Sequence, residues 1–191
     1  MKRQHLPLLL LCGFLLVIHP GMSWAAREIT PEIKDIIVTT SDVDLLLFAT
    51  VKNGFTREMV DEVKSGSPIV FTFNLELVKA SEHWLDTSLV KTAVTHTLSY
   101  VPQQQEYRIA FSNQPDKVVT TKDLEQAKQL MSELNGVKVI TLSRLVPDAP
   151  YAIHFKVVLK KGSLPMGMQK ILPFSSLWNF ETDWRTIEFR Y

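Results

Sequence analysis

Cysteine is almost missing from this chain. The 191 residues include one, Cys12, and it sits inside an apolar run near the start. A lipid-bearing cysteine follows the apolar stretch of its leader, whereas Cys12 has more hydrophobic sequence after it, so lipidation is excluded. Beyond that residue the chain has no thiol. It therefore has no disulfide, no thiolate nucleophile and no cysteine metal ligand, and its core alone must hold the fold.

Long apolar runs are scarce as well. The stretch Leu6–Ile18 is broken by Pro7 and Gly13. It is shorter than the roughly 20 residues a helix needs to cross a bilayer. It is preceded by Lys2 and Arg3 and followed by Pro20, Gly21 and Ser23-Trp24-Ala25. That order of a positive start, an apolar run and a small-x-small site reads as a cleavable secretory signal peptide over residues 1–25, cut after Ala25. The expectation is a single exported domain over 26–191, located in the periplasm. The alternative is a chain tethered to the inner membrane by an uncut signal.

Charge of one sign is lacking too. Lys2 and Arg3 fall within the leader, so the 21 basic residues drop by two against 20 acids, and the formal net charge moves from +1 to −1. The charges are scattered. This balance gives no reason to expect nucleic acid or an anionic membrane as partner. The catalytic signatures Gly-x-Ser-x-Gly and His-Glu-x-x-His are absent, and no cofactor motif is present.

What is present is strand periodicity. Ile36–Val38 and Val43–Val51 flank the polar turn Thr39–Asp42 and predict a hairpin. Leu45, Leu46, Leu47 and Phe48 are apolar on both faces, which predicts a central strand covered on both sides. Thr56 is placed to cap a helix over Arg57–Lys64 that ends at Gly66. Ile69–Leu77 alternates cleanly. Val90–Tyr100 and Tyr107–Phe111 predict a second hairpin around Pro102–Gln105. Thr120 and Thr121 open a helix over Lys122–Asn135, with Gly136 as its stop. Val137–Leu142 and Tyr151–Leu159 are further strands, and Gly162–Pro173 is a loop. In the closing stretch the apolar parity is even through Trp184 and odd from Ile187, which predicts a β-bulge near Arg185-Thr186. The sum is an antiparallel β-sandwich of about eight strands with two short helices.

The order of several features resembles the DUF4390 family of uncharacterised bacterial exported proteins, over about Ile36 to Trp184. The features are a helix followed by Gly66-x-Pro68 and an alternating strand, Trp84-Leu85-Asp86, Leu98-Ser99-Tyr100, Tyr107-Arg108-Ile109, the helix after Thr121, Tyr151, Leu164-Pro165, and Trp178 with Trp184. Before Trp84 the chain carries Ser81, Glu82 and His83, where family members tend to have Arg and a further aromatic. The resemblance implies export and fold but no reaction. It also implies an association with a membrane sensor kinase, whose extracytoplasmic part would be a partner.

Few single residues point to chemistry. His83 and Asp86 lie three apart, but a metal site needs three or four convergent ligands, and no metal is expected. His96 shares the apolar parity of Val94 and Leu98, which predicts a half-buried strand residue rather than a general base. Arg108 and Arg144 each offer a planar fork for a carboxylate or phosphate; for Arg108 an ion pair with Glu106 is the simpler expectation. Trp178, Phe180 and Trp184 share one parity. Trp84, Trp178 and Trp184 are recognition candidates, with core packing the favoured alternative. Together Trp84, Asp86, Tyr100, Arg108, Arg144, Trp178 and Trp184 form the candidate contact set for a partner or ligand. The function expected is a non-enzymatic, protein-binding adaptor of the cell envelope. A periplasmic carrier of a lipid or other apolar ligand is the runner-up, ahead of an outer-membrane β-barrel or a hydrolase with a scattered site.

Overall fold

The computed structural model describes residues 30–81, 86–161 and 179–191. The expected signal peptide, the 162–173 loop, His83, Trp84 and Trp178 lie outside the described residues. Among those described, ten strands and two helices are formed: β1 Glu32–Thr40, β2 Asp44–Lys52, α1 Arg57–Lys64, β3 Ile69–Lys79, β4 Thr87–Val101, β5 Glu106–Phe111, β6 Gln114–Thr121, α2 Leu124–Ser132, β7 Glu133–Thr141, β8 Pro150–Lys161, β9 Asn179–Glu181 and β10 Arg185–Arg190. They make two antiparallel sheets. The smaller has the order β1-β2-β7. The larger runs β10-β8-β3-β4-β5-β6, with β9 also on the β8 edge. The protein is therefore mainly β, as the alternation predicts.

Both sheets feed one core. Leu45, Leu47, Ala49 and Val51 alternate inward along β2. Ile69, Phe71, Phe73, Leu75 and Leu77 do so on β3, and Tyr151, Ile153, Phe155, Val157 and Leu159 on β8. Burying each such side chain is worth about 1.5–3 kcal/mol, and the period of two delivers them all to one side. β2 is central, as expected, but its second face is only half-buried: Leu46 and Phe48 alternate with the inward residues.

Helix α1 follows its local signals closely. The Thr56 hydroxyl accepts from Met59 N at 3.3 Å, and Met59 Sδ accepts from Thr56 N at 3.4 Å. At the other end Gly66 N donates to Val63 O and Ser67 N donates to Glu62 O, both at 3.1 Å. That double bond pattern puts Gly66 at the left-handed position, and its φ is +100°.

Helix α2 departs from expectation at both ends. Thr120 and Thr121 belong to β6, and the cap is Asp123, whose Oδ1 accepts from Glu125 N at 2.8 Å and Gln126 N at 3.4 Å. The helix stops at Ser132, because Glu133 is extended and pairs with Thr50 of β2. Tertiary pairing overrides the helical stripe, and Leu134 is buried from a strand instead. Gly136 is thus no helix stop. It lies inside β7 with φ +61°, where Asn135 and Gly136 together face Phe48 in a bulge. A Cβ on Gly136 would meet the Phe48 ring at 3.2 Å.

Similar irregularities recur. In β1, Asp35 (φ +54°) and Ile36 face Ala49. In β6, Pro115, Asp116 and Lys117 stand out of register between the Ala110↔Val118 and Phe111↔Gln114 pairs. β6 itself is absent from the expected strands, because an edge strand with mostly exposed residues carries no apolar alternation. The bulge predicted near Arg185-Thr186 exists slightly earlier. Thr182, Asp183 and Trp184 face Lys156 and Val157 between the β9 and β10 pairings. Thr182 fastens it: its hydroxyl accepts from Val157 N and its own N–H donates to Val157 O, each at 3.0 Å.

Candidate functional site

The inserted residue at Thr182–Trp184 changes which side of the larger sheet each aromatic meets. Phe180 pairs with Leu159 and packs against the core. Trp184, after the insertion, is 51% exposed. The shared face predicted for Phe180 and Trp184 is therefore corrected, and so is core packing for Trp184. Lys156 points to the outer face of β8, between the inward Phe155 and Val157. Its ammonium lies 5.1 Å from the centre of the Trp184 ring and 3.1 Å from Glu181 Oε2. The cation holds one part of the indole, and the carboxylate holds the cation. Next along β8, His154 Nδ1 lies 3.0 Å from Thr186 Oγ1. Asn74 of β3 stands beside Lys156 in the ladder. The outer corner formed by β3, β8 and β10 thus presents an exposed, anchored tryptophan among polar groups, of which Asn74, His154 and Lys156 are half-buried.

The other candidates do not join it. Asp86 Oδ1 accepts from Ser81 N at 3.0 Å, a tie between residues five apart. Tyr100 packs on Tyr107 with ring centres 5.0 Å apart and the planes tilted at 48°, at the far end of the β4–β5 hairpin. Burial pushes the Tyr107 phenol up from its ordinary pKa, with Tyr100 adding to the effect. Arg108 donates from Nη2 to Gln104 Oε1 at 2.6 Å rather than pairing with Glu106, and its Nε is buried without a partner. Arg144 is exposed in the 3-10 turn that follows β7. Among the described residues no group of three His, Asp or Glu side chains is arranged to hold a metal.

His96 is more buried than expected, at 3% exposure. Phe73 and Phe111 flank its ring, each with centroids 4.7 Å away, and Nδ1 lies 3.1 Å from Met131 O of α2. A carbonyl only accepts, so Nδ1 carries the proton. Burial lowers the pKa to about 4, against the smaller raising effect of the Met131 and Leu130 carbonyls. The imidazole is neutral at pH 7.

Two cavities border this region. One of about 390 Å³ opens between the β2–α1 connection and α2, lined by Lys52, Asn53, Phe55, Lys128 and Gln129 among others. A second, of about 90 Å³, reaches His96. Glu133 lines both, with Gln129 Nε2 donating to one carboxylate oxygen at 2.8 Å and Asn135 Nδ2 to the other at 3.3 Å.

The family model described as a domain of unknown function, DUF4390, matches residues 29–188. The chain belongs to that family. No curated protein and no solved structure matches it significantly. The matched span contains the Ile36–Trp184 stretch over which the sequence resembles the family, and the family description names no activity. Sequence reasoning singled out Trp184 but missed Lys156 and Glu181, its holders. The alternation of Tyr151–Leu159 was the available signal for Lys156, since it sets that residue facing outward.

Proposed function

We propose that this DUF4390 protein is a non-enzymatic, exported binding domain of the cell envelope, working in the periplasm by holding another protein. The observation that carries the reading is Trp184, half exposed yet anchored by Lys156 and Glu181. A large aromatic whose rotamer is already restrained loses little entropy on binding, and tryptophan is enriched among the residues that dominate interfaces. The partner we favour is the extracytoplasmic part of a membrane protein, a sensor kinase among them. The carrier reading has less support. It needs an apolar hollow between the sheets, whereas Phe71, Phe73, Phe155, Leu47 and Ile153 fill the space there.

The test is site-specific. A photo-crosslinking residue at position 184, in cells, should give one discrete adduct with a membrane protein. The same residue at the exposed Lys64 position of α1 serves as the control. Trp184→Ala should abolish co-purification of that partner without lowering the melting temperature. Indistinguishable adducts from positions 184 and 64 would sink the proposal.

A further inference from the structure

The cavity of about 90 Å³ lies where β4, β5 and β6 meet α2 and the start of β7, on the opposite side of the larger sheet from Trp184. Its floor includes the imidazole of His96. Phe111, Val119 and Leu130 supply apolar walls, and Lys117, Glu133 and Asn135 supply polar ones. We propose that this cavity is a binding site for a small uncharged molecule bearing a hydroxyl group, which donates a hydrogen bond to His96 Nε2.

Hydrogen-bond direction, charge and size define the ligand. Nδ1 is committed as a donor to Met131 O at 3.1 Å, so the remaining nitrogen, Nε2, has a bare lone pair and can only accept. A hydroxyl supplies the donor that this nitrogen lacks among the described residues. Lys117 and Glu133 both line the cavity, and the Glu133 carboxylate is fixed by Gln129 and Asn135. One base and one acid line the cavity together, so its formal charges sum to zero and favour neither an anion nor a cation. A cavity near 150 Å³ accepts benzene, so about 90 Å³ suits a body of three to five heavy atoms. The neutral imidazole suits this role at pH 7, since its lowered pKa keeps the lone pair free.

The experiment uses the protein labelled with 15N-histidine. The chain has five histidines, and His96→Phe identifies the His96 resonances by their loss. Propan-2-ol and acetone share a heavy-atom skeleton, but only the alcohol donates. Propan-2-ol should move the His96 Nε2 resonance along a saturating curve in the millimolar range. Acetone should bind about tenfold more weakly, the worth of one hydrogen bond. Val119→Phe, which fills the cavity from its wall, should remove the saturable shift. If that variant proves unfolded, Val119→Met serves the same purpose at smaller volume. Three results would overturn the inference. One is a shift linear in both compounds. Another is a 15N pattern placing the proton on Nε2. The third is a saturable alcohol response that persists in the filled, folded variant.

Discussion

His96 couples one titration to the stability of the fold. Its pKa of about 4 lies below the ordinary 6.5, so folding favours the neutral ring. The stabilisation is therefore complete above about pH 6.5 and is lost as the pH falls toward 4, because the unfolded chain takes up the proton first. Over that window the loss amounts to about 3 kcal/mol at most, at 1.36 kcal/mol per unit. Urea titrations at pH 7.5 and 4.5 should show this slope in the native protein, and His96→Phe should flatten it. An unchanged slope in the variant would assign the acid sensitivity elsewhere. At the same scale, Lys156→Ala should free the Trp184 indole while changing stability by less than about 1 kcal/mol, since the contact is at the surface. A red shift in Trp184 fluorescence, read against Trp184→Phe, would register that release. The burial side of His96 was readable from its parity with Val94 and Leu98. Its depth was not, because the helix that covers it comes from 35 positions along the chain. The exposure of Trp184 was hidden for a related reason. Parity gives a face only while the register is unbroken, and the inserted residue at Thr182–Trp184 breaks it between Phe180 and Trp184.

At the scale of elements, two glycines share a left-handed backbone but not a neighbourhood. A methyl group added at Gly66, where φ is +100°, would find nothing within 4 Å, whereas one added at Gly136, at φ +61°, would meet the Phe48 ring at 3.2 Å. Gly66→Ala should cost about 1–2 kcal/mol, the conformational term alone. Gly136→Ala should cost more, because the ring must also move within the β2–β7 pairing. Denaturant midpoints of the two variants decide the order, and equal losses would show that Phe48 yields freely. Helix α1 was legible end to end, since Thr56 and Gly66 punctuate it locally. Helix α2 was not. Its periodic residues continue past Ser132, and only the pairing of Glu133 with Thr50 ends it.

At the scale of the whole molecule, the two sheets and both helices contribute to a single buried cluster. Unfolding should accordingly be one cooperative transition, with far-ultraviolet and near-ultraviolet signals superimposable. A separate early melt of the three-stranded sheet would contradict this. The inner-face alternation made the β-rich class readable from sequence, because every inward side chain on β2, β3 and β8 obeys a period of two. The strand count fell short where that signal fades, at β6 and at the divided β9–β10 edge.

The irregular strands have a consequence for copies of the protein meeting one another. The smaller sheet ends on β1 and β7, and the larger on β6 and the β9–β10 line. Each of these borders is interrupted: by Asp35-Ile36, by Asn135-Gly136, by Pro115–Lys117 and by Thr182–Trp184. Among the described residues, a second molecule seeking to extend either sheet meets no long, straight row of free amides and carbonyls. Natural β proteins suppress runaway strand-to-strand polymerisation in this way. A chain without disulfides thereby carries its own protection against fibrous self-association.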